Sequence, residues 1–558
     1  MTYIIDIETT GLDRHTDRIN LVGIMDLETG QMFQAESKEE YLKLHTDLGL
    51  EYNDCVFHNA KFDTEFLRYQ YQVDFKSVLD TMIMFYLYNP YRKFYALKGL
   101  VADLFKVKYD VSTEVKTGTS EEMKQYNKQD LQYTGLLYQF LVSRLSEKEV
   151  KLSKFLAKID LVYSKITEKG VLLDRHLCTE RLAELEKKLE TLSEEIKKQT
   201  GDINLNSPKQ LGAALFSKLG YEPKKKTAKG EWSLDTDALK SYGTDLTDKL
   251  VEYRKLSKII SSFFVPYQGK DTVHPIFRVT GEAGGGGTVS GRTSCSKPNL
   301  QQLPRGPMVR NLLRVPSDEW YFFEIDYSQM ELRCAGQIAQ VKALIDAYRE
   351  GRDVHTETAK FMTGKEEITD EDRFQAKAAN FGLIYGMGAE GFVDYARNGY
   401  GVTVSLEQAK KIREDYFKRY PELHGFYKSI DNSLKNYGYV ENPIGRRRRV
   451  YGNWKADLLS YRNTVVQGFA SDLLVLSLLE VSEMPRYGQD FYVVGTVHDS
   501  ILGYVRKDKM ETLGEIAAIM ENPKYAREMM EGKWFDLPIK ADVSVFEERW
   551  YGKKVKYE

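Results

Sequence analysis

The sequence predicts a multidomain chain of mixed α/β and α+β class. Three observations carry that prediction. At 558 residues and 64.4 kDa, the chain exceeds what one hydrophobic core organises, so about three to five domains are expected. Residues 1 to 150 alternate short apolar strands with helical segments, whereas residues 151 to 200 are rich in Leu, Glu and Lys at helical spacing. Beyond residue 290, apolar strands ending in carboxylates flank a long helical stretch.

Composition sets limits on function. Hydrophobic content of 42% with 29% charged residues is ordinary for a soluble globular chain. A formal charge of -2 gives no global sign of nucleic-acid binding, so a polyanion would need local basic surfaces. Cys55, Cys178, Cys295 and Cys334 lie far apart without a CxxC pair, which argues against structural zinc and disulfides and suits a reducing compartment. No apolar run reaches membrane-spanning length, and Met1 leads almost directly into a strand with no room for a signal peptide. A cytoplasmic setting without membrane contact is expected.

The first strand is YIIDIE, Tyr3 to Glu8, whose alternation puts Asp6 and Glu8 on one face. Two neighbouring carboxylates repel, and divalent cations between them would stabilise the pair. A second strand, Cys55 to Phe57, runs into HNAKFD, where Asn59 and Asp63 are four apart at a helix start. In YNKQD, Tyr126 and Asp130 share a helical face. Two Mg²⁺ or Mn²⁺ ions about 4 Å apart need roughly this many oxygens, and a phenol can orient an attacking water. The order DxE, NxxxD, YxxxD resembles the three motifs of DEDDy 3′–5′ exonucleases that proofread for DNA polymerases. That resemblance implies Asp6, Glu8, Asp63 and Asp130 as metal ligands and Tyr126 as the residue that positions water. Asp80 is left to helix capping or to support of the ligands.

The middle of the chain is less informative. LAELEKKLETLSEEIKK reads as a long solvated amphipathic helix. In NLNSPKQLGAALFSKLG, Asn206 or Ser207 is the N-cap, Pro208 takes the first helical position and Gly220 is the stop. Pro223 to Lys226 is a polar loop, read first as solvated and second as a contact for nucleic-acid backbone. The glycine-rich stretch Gly281 to Gly291 follows no strand and has no GxGxxG order, so it is not read as a dinucleotide site.

Signals become dense from Gly291. GRTSCSKPNLQQLPR is loop-like, with Arg292 as its fixed cation. FFEIDYSQMELR is a strand ending at Asp326 that turns into a helix through Gln329 and Glu331. In RFQAKAANFGLIYG, Arg373, Lys377, Phe381 and Tyr385 recur every four residues and so lie on one helical face over about 18 Å. Two cations followed by two aromatics suit phosphates at one end and a flat base at the other. Taken alone, that face is better read as an ordinary amphipathic helix, and the surrounding motifs reverse the order. FYVVGTVHDSI gives two strands with His498, Asp499 and Ser500 at their junction. Asp326 and Asp499, brought together on adjacent strands, could hold two Mg²⁺ ions, one for a 3′-hydroxyl and one for a departing pyrophosphate.

DYSQMELR, RFQAKAANFGLIYG and VHDS resemble motifs A, B and C of family A DNA polymerases, and GRTS…NLQQLPR resembles the loop before motif A. The match covers residues 1–150 and 285–558. It implies an RNase H-like 3′–5′ exonuclease domain (1–150) followed by a right-hand polymerase: helical thumb (151–285), palm with motif A (286–336), fingers with motif B (337–440), and palm with motif C (441–558). Asp326 and Asp499 are then the catalytic metal ligands. Arg373 and Lys377 grip the triphosphate, with Lys377 as candidate general acid. Phe381, Tyr385 and Gln329 shape the dNTP pocket, and His355 contacts phosphate. Glu331 is the steric gate against a 2′-hydroxyl. Arg292, Gln467 and His498 contact the primer–template. Apart from the resemblance, the four adjacent cations Arg446 to Arg449 of IGRRRRV, Arg446 and Arg447 first among them, are expected to touch phosphate, because the chain's acidic balance leaves few other footholds for a polyanion. Ser500 departs from the pattern, because bacterial members usually carry a second acid there.

The resemblance also implies partners and setting: primer–template DNA, dNTPs, Mg²⁺, replisome proteins such as a helicase-primase and a single-strand binding protein, and a monomer. A chain that opens at the exonuclease motif without a 5′-nuclease domain is expected to be a phage replicative polymerase. A single-subunit RNA polymerase and a nuclease whose second half only binds DNA are the competing classes, disfavoured by Glu331 and by intact Asp326, Lys377 and Asp499.

Overall fold

The alternation in YIIDIE becomes β1 (Thr2–Thr9), the middle strand of a five-stranded sheet. With β2 (Ile19–Asp26), β3 (Met32–Ala35), β4 (Asp54–Phe57) and β5 (Ser77–Asp80), the order is β3-β2-β1-β4-β5. β1, β2 and β3 pair antiparallel, whereas β4 pairs in parallel with β1 and with β5. The parallel strands require crossovers. β4 leads into α1 (Ala60–Phe66), and β5 leads into α2 (Thr81–Tyr88). The long α3 (Ser120–Val142) packs across β1 and β2. Gly135 allows the close approach, since a Cβ there would lie 2.8 Å from Met25 Cε. Ile4, Val22, Ile24 and Val56 are fully buried, each contributing about 1.5–3 kcal/mol of hydrophobic stabilisation.

The computed structural model describes residues 1–107, 120–224, 226–227, 230–280 and 288–557. Lys225 of the polar loop and residues 281–287 of the glycine-rich stretch lie outside the described residues. The chain divides into two compact units, one of Met1–Glu168, Ile276–Cys295 and Glu324–Val543, the other of Lys169–Pro275, Ser296–Phe323 and Ser544–Glu558.

The first unit holds the five-stranded sheet and a second set of strands. After β6 (Trp320–Tyr327) come α4 (Met330–Ile338), α5 (Val354–Thr363), α6 (Asp370–Leu383), α7 (Ala389–Tyr400) and α8 (Leu458–Ser482). β7 (Phe491–Val497) and β8 (Ser500–Arg506) form a hairpin, and β9 is Ala541–Glu547. The order is β7-β8-β6-β9, with β6 and β9 entering this unit through residues 324–327 and 541–543. α8 corrects the reading that no apolar run is long enough to cross a membrane. Its mean hydropathy reaches 1.5 over an 18-residue window, but 89% of that window is buried within the protein. It is apolar all round because it is a core helix.

The second unit is largely helical. Helix Arg175–Thr200 is capped by Asp174, and helix Asp245–Ile259 begins with a capping box between Thr244 and Thr247. Ile196, Leu211, Leu215, Leu239, Leu246 and Leu250 close a local core between them. Ser207 caps the helix at Pro208, accepting from Gln210 N, and Gly220 takes φ 72° where that helical segment stops.

Candidate active sites

Two acid-lined sites lie in the first unit. The N-terminal one is built on β1, whose half-buried Asp6 and Glu8 share a face while Ile5 and Ile7 are buried on the other. Asp63, buried on α1, accepts from Ile7 N at 3.1 Å, which ties that helix to the strand. Asp80 takes the N–H groups of Asn59 and Ala60 at 3.0 and 2.9 Å and caps α2 through Met82 N at 2.8 Å. It therefore holds the loop that presents Asp63. Asn59 itself sits in the left-handed region at φ 68°.

From α3, Tyr126 and Asp130 face the same cleft of about 290 Å³ as Asp6, Glu8 and Asp63. Oxygens of Asp6, Glu8 and Asp130 lie within 4.8 Å of one another. Burial, with the neighbouring carboxylates Asp130, Asp63 and Glu8, raises the pKa of Asp6 well above the usual range. Burial likewise raises Asp63, and pushes Asp130 up to about 7 against the pull of Lys98. The buried Asp130 Oδ1 accepts no hydrogen bond among the described residues. A cluster of carboxylate oxygens that resists ionisation and leaves an acceptor unused suits a hard divalent cation such as Mg²⁺ or Mn²⁺.

Residue patterns missed three groups here. Lys98 sits 5.1 Å from the Tyr126 ring centre. Burial raises the Tyr126 phenol and Lys98 opposes it, so the group stays protonated at neutral pH. Asn127 donates to Asp6 Oδ2 at 2.8 Å, reaching past Gly23, where a Cβ would stand 1.9 Å from Asn127 Oδ1. His58 bridges the Thr81 hydroxyl and the Tyr95 carbonyl at 2.8 and 2.9 Å, and burial lowers its pKa to about 4.

The second site lies where β6 meets the β7–β8 hairpin. Val497 pairs with Ser500, leaving exposed His498 (φ 54°) and half-buried Asp499 as a two-residue turn. Tyr327 N donates to Asp499 O at 3.2 Å, so exposed Asp326, the last residue but one of β6, lies on backbone next to that of Asp499. Burial raises the Asp499 pKa and Arg292 opposes it. Ser500 is buried and donates to Val497 O at 2.8 Å, so its hydroxyl closes the turn.

Glu331, in the first turn of α4, gathers three other predicted residues. Arg292 Nη2 and Gln467 Nε2 donate to its Oε1 at 3.1 and 2.8 Å, and Tyr385 OH donates to Oε2 at 3.2 Å. Burial raises its pKa against the pull of Arg292. Gln329, left-handed at φ 51°, accepts from the Tyr348 hydroxyl at 3.0 Å.

On α6, Arg373 forks onto Asp353 at 3.1 and 2.8 Å. Burial would raise Asp353, but Arg373 and Thr356 hold it down to about 2. Lys377 is half-buried on the same face. Phe381 lies 5.8 Å, ring centre to ring centre, from buried His355. The period-four face is shorter than expected, because α6 ends at Leu383 and Tyr385 falls in the turn beyond it. Gly386 at φ 90° makes that turn, and the Tyr427 hydroxyl lies 3.2 and 2.9 Å from the Leu383 and Ile384 carbonyls.

The arginine run overturns one expectation. Arg446 does not present a cation to phosphate: it is buried against fully buried Asp472, with contacts of 3.0, 3.0 and 2.6 Å. Arg448 donates to Tyr91 OH at 2.7 Å, and Arg449 grips buried Glu149 at 2.7 and 2.8 Å. Arg447, one quarter exposed, pairs with Glu441 and lies 4.3 Å from the Tyr439 ring centre. Two acids distant in sequence, Asp472 and Glu149, thus take up Arg446 and Arg449, the nearby Glu441 takes up Arg447, and Arg448 is held by hydroxyl and carbonyl groups.

Comparison with known proteins agrees with two catalytic regions. Residues 175–551 match the family described as DNA polymerase family A, and residues 4–146 match 3′-5′ exonuclease. DNA polymerase I of Aquifex aeolicus is 31% identical over 98% of this chain and 95% of its own length. The thermostable DNA polymerase I of Thermus thermophilus is 32% identical over 73% of this chain, and that of Lactococcus lactis subsp. lactis 32% over 74%. The matched regions cover only 48% and 46% of those two relatives, about half their length. A solved Pol1 polymerase domain from M. smegmatis, in complex with DNA primer-template and dNTP, superposes with a TM-score of 0.81 at 22% identity, covering 98% of this chain and 95% of that one.

Proposed function

The chain belongs to DNA polymerase family A and is a DNA polymerase with a 3′–5′ exonuclease domain, and from that premise we propose that it extends primer 3′ ends with dNTPs by two-metal phosphoryl transfer and proofreads them by DEDDy chemistry. The observation that carries this reading is the backbone hydrogen bond from Tyr327 N to Asp499 O, which sets Asp326 and Asp499 on neighbouring backbone segments, together with Glu331 gathering Arg292, Gln467 and Tyr385.

Mg²⁺, or Mn²⁺ in its place, would be held by Asp326 and Asp499 in the polymerase site and by Asp6, Glu8, Asp63 and Asp130 in the exonuclease site, where it supplies a Lewis acid for the attacking oxygen and the leaving group. The protein residues orient. Arg373 and Lys377 take the triphosphate, so Arg373 must share or leave Asp353 when nucleotide arrives. Glu331 bars a 2′-hydroxyl, and its bond from Tyr385 fixes the wall of the sugar pocket. Phe381 and Gln329 complete that pocket. Arg292, Gln467 and His498 contact the primer–template, and Arg292 and Gln467 do so from positions already fixed by Glu331. In the exonuclease cleft, Tyr126 orients the attacking water, and Lys98 keeps a positive charge beside the scissile phosphate.

The five-part division into exonuclease, thumb, palm, fingers and palm belongs to this proposal, as do a monomeric state, a cytoplasmic setting and replisome partners. A phage origin draws no support from the relatives named above, which are bacterial. The test is a labelled primer–template with Mg²⁺, with and without dNTPs. Extension with dNTPs and 3′-trimming without them are expected. Asp326→Ala should abolish extension alone and Asp6→Ala trimming alone; extension that survives Asp326→Ala would overturn the proposal.

A further inference from the structure

Beneath the nucleotide-facing side of α6 runs a buried polar network that none of the roles above uses. Asn380 is fully buried on α6, and its Nδ2 lies 2.9 Å from His355 Nδ1 and 3.1 Å from Thr358 Oγ1. The Thr358 hydroxyl lies 2.7 Å from the Val354 carbonyl one turn back, 2.7 Å from Tyr420 OH and 3.1 Å from Asn380 Oδ1. A hydroxyl has one proton to give. Spent on the nearer Val354 carbonyl, at 2.7 Å against 3.1 Å to Asn380 Oδ1, it leaves Thr358 to accept from Tyr420 and from one Asn380 N–H. The second Asn380 N–H then goes to His355 Nδ1, which must be unprotonated to accept it. A neutral imidazole with Nδ1 as acceptor carries its proton on Nε2.

We propose that Asn380 is a positioning residue, fixing His355 as the Nε2–H tautomer so that a neutral N–H donor stands beside Arg373 and Lys377 for the incoming triphosphate. The inference rests on the nucleotide-binding role assigned to His355 above. Neutrality has its own support: burial lowers the His355 pKa to about 4, Asp353 opposes this, and Arg373 and Lys377 add to it. The donor therefore does not depend on pH across the neutral range. Two cations on α6 supply charge, and His355 supplies direction, since one N–H points along one line where a lysine ammonium rotates freely.

The test pairs a spectroscopic readout with kinetics. Ring-¹⁵N-labelled histidine in the full-length protein, with His355 assigned from His355→Gln, reports the tautomer directly. A pyridine-like Nδ1 and a protonated Nε2 at neutral pH are expected, and the reverse pattern overturns the proposal without any variant at Asn380. Asn380→Asp keeps the shape but cannot donate to Nδ1, so the proton should move to Nδ1. The dNTP KM should then rise about tenfold, the worth of one hydrogen bond, with kcat nearly unchanged. Retained exonuclease activity reports that the variant has folded. In the His355→Gln background, whose amide donates without a tautomer, Asn380→Asp should add little. An equal loss in both backgrounds, or an unmoved KM in the first, makes Asn380 merely structural and overturns the inference. If the parent protein fails to extend primers, the polymerase reading falls, while the tautomer measurement still decides the placement of the proton.

Discussion

Replacing Arg446 by Ala separates a structural arginine from a phosphate-binding one. The side chains of Arg446 and Asp472 are 7% and 0% exposed, and the guanidinium bonds both carboxylate oxygens. Without it, among the described residues Asp472 keeps the Asn442 amide alone, at 2.8 Å. Stranding a buried charge in this way costs about 3–5 kcal/mol. Gly291, packed against the arginine so closely that a Cβ there would lie 2.7 Å from Arg446 Nε, has no side chain to fill the space left behind. Asp472 lies on α8, so hydrogen exchange of α8 amides is the local assay, and it avoids assuming that a chain of several domains unfolds in one step. At 1.4 kcal/mol per factor of ten, those amides should exchange about 10²- to 10⁴-fold faster. The pair Arg446→Met with Asp472→Leu should restore protection, since apolar replacement of a whole buried ion pair is near neutral or stabilising. Unchanged exchange together with weaker primer–template binding and a shallower salt dependence would refute the reasoning and return Arg446 to the DNA.

The raised pKa values of Asp6, Asp63 and Asp130 mean that the folded exonuclease site binds protons the unfolded chain releases, so its stability is highest below about pH 4 and is lost as pH rises towards 7. Mg²⁺ or Mn²⁺ should therefore raise the thermal midpoint more at pH 8 than at pH 5.5, and Asp6→Asn should reduce that difference; an equal rise at both pH values in parent and variant would count against a cation site. Glu331→Ala removes the group that Tyr385, Gln467 and Arg292 hold in place, and single-nucleotide extension should show rNTP-over-dNTP preference rising about 10- to 200-fold, the discrimination one pocket group supplies. An unchanged ratio would remove Glu331 as the gate. Gly382→Val would drive its first methyl group into α7, where a Cβ already lies 2.8 Å from Tyr395 and 3.0 Å from Phe392. Overpacking of about 1–3 kcal/mol should lower the thermal midpoint and raise the dNTP KM together; a variant with parental values would mean that α6 and α7 do not need this contact.

The pattern of what could be read from the sequence follows from the range of each interaction. Asp6 with Glu8, Tyr126 with Asp130, and Arg373 with Lys377 are two or four residues apart, so strand pleat or helical pitch alone sets their common face. Asp326 and Asp499 were visible as apolar runs stopping at acids; the structure carries β6 one residue past Asp326, puts Asp499 in the β7–β8 turn, and joins the two segments through the Tyr327 N to Asp499 O bond. Everything that needed a partner from another segment was hidden. Asn127 reaches Asp6 only because Gly23, on β2, leaves a gap, and neither residue signals this locally. Four consecutive arginines look like a polyanion grip until the fold supplies Asp472, Tyr91 and Glu149, which lie 26, 357 and 300 residues from their partners. α8 was missed in a different way: its apolar run does reach spanning length, and only its burial within the protein marks it as a core helix, since hydropathy cannot separate a helix buried in lipid from one buried in protein. Local spacing thus identified the groups that bear chemistry, whereas their charge state, orientation and restraint came from contacts that only the folded chain creates. Tyr385 shows both sides of this: its spacing marked it as part of the α6 face, yet its place is set by Gly386, by the end of α6 at Leu383, and by its bond to Glu331.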